Sequence, residues 1–167
     1  MNSSDDALTK VEPALQAVRA LARVARALDR ASGELSLAHY RVLAAIAEGD
    51  ERASRVAVRL AIGKPTISAA VEALCQRGLI VRASVAGDQR ATALSLTIEG
   101  QSLLDSVEAT MLTWLRDVCD RTPDGARVMQ SLSWLGAAID EVADERFRQT
   151  RAVVGAQTDG PKSGANR

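Results

Sequence analysis

Aromatic residues are almost missing from this chain: two tryptophans, one tyrosine and one phenylalanine in 167 residues. Sheet-rich cores lean on aromatic and β-branched side chains. A chain dominated by Ala, Leu and Val favours helix instead. Only one histidine and two cysteines, Cys75 and Cys119, are present. Their spacing contains no CxxC and no Cys/His set of the kind that holds zinc, so neither a metal nor a cofactor is expected. The two thiols read as buried and reduced, with a redox switch as the alternative. No apolar run approaches the ~18 residues of a membrane helix. The start, Met1 to Leu8, is polar and acidic and lacks the pattern of a secretory leader, so a cytoplasmic protein is expected. A glycine-rich phosphate loop, an HExxH helix and a nucleophile elbow are also lacking, which disfavours an enzyme.

An excess of charge is missing too, since 21 basic residues face 21 acidic ones. The distribution is uneven. Between Glu51 and Thr92 lie seven basic residues (Arg52, Arg55, Arg59, Lys64, Arg77, Arg82, Arg90) and three acidic ones (Glu51, Glu72, Asp88). A basic module inside a neutral chain suits local phosphate binding. Scattered arginines on a solvated face would give the same count.

What is present is helical periodicity. Ala14, Val18, Leu21, Ala25 and Leu28 recur at spacings of four and three, predicting a helix over 10–32. Ser36 is placed to cap a second helix carrying Leu37, Tyr40, Leu43 and Ile46. A third is expected from about Arg52 to Ile62, interrupted by Gly63. A fourth begins at Lys64, with Pro65 in its first turn, and stops at Gly78. The period then changes: "LIVRASV" and "ATALSLT" flank a Gly-Asp turn and predict a hairpin. Thr97 caps a fifth helix to about Arg121. Thr122 and Pro123 start a sixth, in which Val128, Leu132, Leu135, Ile139 and Val142 form a seam for another helix. The Gly-, Ser- and Pro-rich residues 151–167 read as a disordered tail, and residues 1–9 as a flexible start. The fold class is mainly α (α+β), in the order α-α-α-α-β-β-α-α.

Two short helices, a tight turn and a second helix make a helix-turn-helix. Ala57 is small where the pair would cross. Val56, Leu60, Ile62, Ile67, Val71 and Leu74 would fill the core between them. The outward residues of the later helix are then Lys64, Thr66, Ser68, Ala69, Glu72 and Arg77, and hydroxyls and amines at a helix start reach base edges and phosphates. The hairpin that follows has a basic tip. Arg90 stands where an arginine enters a minor groove, with Asp88 close enough to orient it. The plainer alternative is a surface turn with a weak ion pair.

The stretch "VAVRLAIGKPTISAAVEALCQRGLIVR", followed by "GDQRATALSLTIEG", resembles the MarR family of winged-helix transcriptional regulators. The resemblance spans about residues 10–150 and is most specific at Asp88 and Arg90, then Leu94, Leu96, Thr97 and Gly100. It implies a winged helix-turn-helix over about 36–97, flanked by dimerisation helices over about 10–32 and 98–150. It also implies a recognition helix beginning at Lys64 and Pro65, contacts from Thr66 and Ser68, a basic lead into the wing at Arg82, and Arg90 in the minor groove. Gly63 and Pro65 stand where the family often has serines, Ala69 where many members carry a larger polar residue, and Val58 at a usually polar position. By resemblance, the expected protein is a homodimeric repressor on a pseudo-palindromic operator in double-stranded DNA, released by a small phenolic or aromatic ligand. Its ligand candidates are His39, Tyr40, Arg41 and Trp114. Each of these also reads as an ordinary surface, core or interface residue. The competing reading is a winged-helix module that docks proteins rather than DNA.

Overall fold

The structure, a computed structural model, describes residues 3–49, 52–85 and 88–158. Among the described residues, six helices and one hairpin follow in order: α1 (Ser3–Ala31), α2 (Leu37–Ala47), α3 (Ala53–Arg59), α4 (Lys64–Gln76), β1 (Ile80–Val85), β2 (Asp88–Leu96), α5 (Ile98–Cys119) and α6 (Gly125–Thr158). The core lies between the helix-turn-helix and α5. It is made of Val42, Leu43 and Ile46 from α2, Val56 and Ala57 from α3, Ile67, Val71 and Leu74 from α4, Ile80 and Leu94 from the hairpin, and Leu104, Val107 and Met111 from α5.

Side-chain caps set several boundaries. The Ser36 hydroxyl accepts from the His39 N–H at 3.3 Å, as its position in the sequence predicts. The Asp29 carboxylate at the end of α1 accepts from the Leu37 N–H at 3.0 Å, so one helix caps the next. At α4 the Gly78 residue has φ +69°, and the Leu79 N–H returns to the Leu74 carbonyl at 3.0 Å. That is the glycine-terminated helix end expected from the sequence.

α3 differs from expectation. It stops at Arg59 rather than near Ile62, and the turn is made by Ala61 at φ +53°. The Ile62 N–H bonds the Ala57 carbonyl and the Ala61 N–H bonds the Val58 carbonyl, both at 3.0 Å. This is a helix end of the type that glycine usually closes, here closed by alanine. Gly63 does not break a helix; it is the extended residue before α4. An L-residue in the left-handed region costs about 1 kcal/mol. Ala61→Gly should therefore raise the melting midpoint by about 2 °C in calorimetry, after part of the gain is lost to unfolded-state entropy. An unchanged or lower midpoint would contradict the strain at Ala61.

Three further boundaries shift. α1 starts at Ser3, so residues 3–9, expected as a flexible start, are helical. α6 starts at Gly125. Its cap is Asp124, whose carboxylate accepts from the Arg127 N–H at 3.0 Å, whereas the Thr122 hydroxyl bonds the Cys119 carbonyl at 2.6 Å. The same helix continues to Thr158, through residues expected in the tail; residues 159–167 lie outside the described part.

The hairpin pairs Ile80 with Leu96, Arg82 with Leu94 and Ser84 with Thr92. Ile80, Arg82, Leu94 and Leu96 therefore share one face, and the buried Ile80 and Leu94 hold that face to the core. The start of α5 is fastened to the start of the hairpin. The Thr97 N–H donates to the Leu79 carbonyl at 3.1 Å, and the Thr97 hydroxyl donates to the Gly78 carbonyl at 2.7 Å. The same hydroxyl accepts from the Gly100 N–H at 2.9 Å. Among the described residues, no helix is long and apolar enough to cross a membrane.

Candidate nucleic-acid interface

α4 divides along its length into two faces. Ile67, Val71 and Leu74 are buried, while Lys64, Pro65, Thr66, Ser68, Ala69 and Glu72 are exposed. The spacing of the buried set fixes the helix by its inner side and leaves its first two turns open to solvent. Gly63 supplies no capping side chain. The N–H groups that begin a helix have no intrahelical acceptors, so those of Lys64 and Thr66 are available to an anion.

Arg82 joins this surface. Its guanidinium lies 3.2 Å from the Glu72 carboxylate, bringing β1 against the outer face of α4. Both groups are about half exposed, so the pair contributes little to stability and chiefly orients the arginine. Glu72 is the partner that sequence reasoning missed, because nothing in a sequence pairs position 72 with 82. Arg77 goes elsewhere. It lies 13 residues beyond Lys64, about 20 Å along the helix, and donates to the Glu34 carbonyl at 3.4 Å. It ties α4 to the turn after α1 and is not gathered with the residues at the helix start.

The wing carries Asp88 and Arg90 on the backbone of β2; their side chains lie outside the described part. Val85 pairs with Asp88 and Ser84 with Thr92, so β2 advances four residues while β1 advances one. Gln89, Arg90 and Ala91 therefore form a bulge next to the tip. Bulges of this kind re-aim side chains relative to a regular ladder.

The four ligand candidates do not converge. Tyr40 is half-buried and its hydroxyl donates to the Glu108 carboxylate of α5 at 3.4 Å. Burial, and then the Glu108 charge, hold that hydroxyl above its ordinary pKa. Arg41 points to the other neighbour, donating to the Leu60 carbonyl at the end of α3 at 3.2 Å. The His39 backbone serves the Ser36 cap, with its ring half-buried. Trp114, half-buried, lies six residues beyond Glu108, about 9 Å further along α5 and on a different face. A cleft of about 510 Å³ lies instead at the α5–α6 turn, lined by Pro123, Arg127, Val128, Leu132 and Leu135 among others.

Arg59 links the helix-turn-helix to the long last helix. It pairs with Glu48 at the end of α2 and approaches Asp140 of α6 to 3.7 Å. Among the described residues, no group of His, Cys, Asp and Glu could hold a metal ion. Cys75 is half-buried and Cys119 buried, both as free thiols.

The MarR family model matches residues 33–91. No curated protein matches the chain. Solved structures do. CouR bound to a 23-mer DNA duplex is 27% identical, with a TM-score of 0.64, over 75% of this chain and 89% of that one. CouR from Rhodococcus jostii RHA1 bound to p-coumaroyl-CoA is 26% identical, with a TM-score of 0.61, over 73% of this chain and 87% of that one. A MarR-family regulator from Rhodococcus sp. RHA1 is 25% identical, with a TM-score of 0.64, over 83% and 96%. The matched segment runs from the end of α1 into the wing, and the likeness of fold extends through the flanking helices. Residues 33–91 thus match the MarR family model, and the chain shares the winged helix-turn-helix fold of solved MarR-family transcription regulators.

Proposed function

We propose that the chain is a homodimeric, sequence-specific DNA-binding repressor rather than an enzyme. The start of α4 enters the major groove, and Arg90 of the wing enters the adjacent minor groove. The observation that carries this reading is the two-sided packing of α4. Ile67, Val71 and Leu74 lock the helix down, and Lys64, Thr66, Ser68 and Ala69 face outward in its first two turns. Lys64 and the open helix start take phosphate, Thr66 and Ser68 reach base edges, and Arg82 supports the wing. Pro65 and Ala69 make van der Waals contact there, and Asp88 orients Arg90. Arg77 serves the reading less well, because it is spent at the far end of the helix.

Dimerisation is supported by two unpartnered apolar stripes. Leu15, Val18 and Leu21 on α1 are exposed, as are Trp134, Leu135, Ile139 and Val142 on α6. A two-fold dimer covers both and sets two α4 helices one duplex turn apart on a pseudo-palindrome. Ligand release is supported by the CouR structures, one with DNA and one with p-coumaroyl-CoA. Tyr40 and Arg41 join α2 to α5 and α3, so a small aromatic ligand that moved α2 there would shift α4, with His39 and Trp114 at the margins of that junction.

The test is a mobility-shift titration on the DNA upstream of the protein's own gene. A salt-sensitive, sequence-dependent shift is expected, and Lys64→Ala should weaken binding on all sequences and lower the salt slope by about one. No such shift on that DNA would sink the proposal.

A further inference from the structure

α1 has three sectors. Ala20, Val24, Ala27, Leu28 and Ala31 are half-buried against the fold, and Leu15, Val18 and Leu21 form the exposed apolar stripe. The third sector is basic. Arg19, Arg23, Arg26 and Arg30 follow one another at spacings of four, three and four, so they line one face over about 16 Å. All four are exposed, and among the described residues none of their guanidinium groups has a hydrogen bond or an ion pair. Four like charges aligned without partners repel one another.

α6 carries the opposite pattern. Between Val128 and Glu145 it has four acidic residues, Asp140, Glu141, Asp144 and Glu145, and no basic one. Asp140 is engaged by Arg59 of its own chain. Glu141 and Glu145 are exposed, and among the described residues neither has a partner. They lie seven and eleven residues after Trp134 and share its side of the helix, beside the exposed Leu135, Ile139 and Val142.

We infer that the arginine stripe of α1 pairs with the Glu141–Glu145 flank of α6 in a second copy of this chain, so that charge selects self-pairing and makes dimerisation sensitive to salt. This rests on the dimer reading above and adds to it a pairing and a regulation. The complementarity is twofold: apolar stripe against apolar stripe, basic flank against acidic flank. A two-fold axis repeats every contact, as a self-complementary interface requires. Rim charges of this kind act on partner choice and register more than on raw affinity. DNA is the less suitable occupant. α1 joins the DNA-reading lobe where Arg77 meets Glu34, at the end of α4 opposite Lys64.

The test is sedimentation equilibrium of the full chain without DNA, at about 50 mM and about 500 mM salt. Arg23→Glu/Arg26→Glu should weaken the low-salt dimer about tenfold, since several exposed pairs become repulsive together. Adding Glu141→Arg/Glu145→Arg should restore it to within about threefold, which a simple folding defect would not allow. The wild-type dimer should loosen as salt rises. A wild-type dimer unmoved by salt and by the arginine changes would overturn the charge pairing and leave the dimer standing. A wild-type chain that stays monomeric would overturn the dimer reading and this inference together. Unchanged dimers with lowered affinity for random duplex DNA would assign the stripe to nucleic acid and also overturn it.

Discussion

Gly100→Ala will destabilise the fold by about 4 kcal/mol and lower the melting midpoint by roughly 10 °C. A Cβ at position 100 would lie 1.9 Å from the Leu79 carbonyl oxygen and 2.9 Å from its carbon. Those are backbone atoms and cannot swing aside. They are also held in place, because the same carbonyl accepts the Thr97 N–H and the neighbouring Gly78 carbonyl accepts the Thr97 hydroxyl. Moving α5 away relieves the clash only by giving up both bonds, each worth about 1 kcal/mol. Overpacking adds a further ~1–3 kcal/mol. The control is Gly136→Ala, at an exposed position in α6 where a Cβ meets nothing within 4 Å. It should stabilise the helix by about 1 kcal/mol. Thermal melts of the two variants should move in opposite directions, and a Gly100→Ala melt close to wild type would refute the close approach.

Leu135→Asp combined with Ile139→Asp will leave the chain monomeric and weaken operator binding about a hundredfold or more. Both side chains are solvent-exposed in the single chain, at 42% and 57%, so the changes spare the core. In the proposed dimer they lie in the seam, where each carboxylate would lose its water without gaining a partner. Binding to the operator then loses its second half-site, and with it the gain in effective concentration that linkage supplies. Sedimentation and a DNA titration should report the two losses together. A double variant that still sediments as a dimer would remove α6 from the interface.

Much of the fold was legible because local chemistry and tertiary packing agree. Ser36, Thr97 and Gly78 end or begin helices by side-chain capping or a left-handed glycine, signals carried by a single residue. The apolar spacing of α4 also named its buried face. What was not legible depends on partners distant in sequence or on an unusual backbone choice. Ala61 closes α3 in a conformation alanine seldom adopts, so the helix looked longer than it is. Asp124 caps α6 where Thr122 and Pro123 looked better suited, because the Thr122 hydroxyl turns back to Cys119. Gly155 lies inside α6 although glycine is a poor helix former, so composition alone cut that helix short. On the site, the sequence named the exposed start of α4. It did not foresee that Arg77 would turn to Glu34, that Arg82 would lean on Glu72, or that Tyr40 and Arg41 would part toward different helices. The stripe on α1 was read by its apolar residues. The arginines one position further round become informative only once the helix is seen with a buried face, a bare apolar face and no acid opposite them.

The central claim is that α4 and the wing read DNA, and the most direct test is a fluorescence-anisotropy titration against operator duplex across a range of salt, with wild type and Arg90→Ala. For the wild type, log affinity should fall steeply and linearly with log salt. Arg90→Ala should bind about tenfold or more weakly, with a salt slope reduced by about one. A wild-type affinity indifferent to salt and sequence, or an Arg90→Ala protein that binds as tightly as wild type with the same slope, would contradict it.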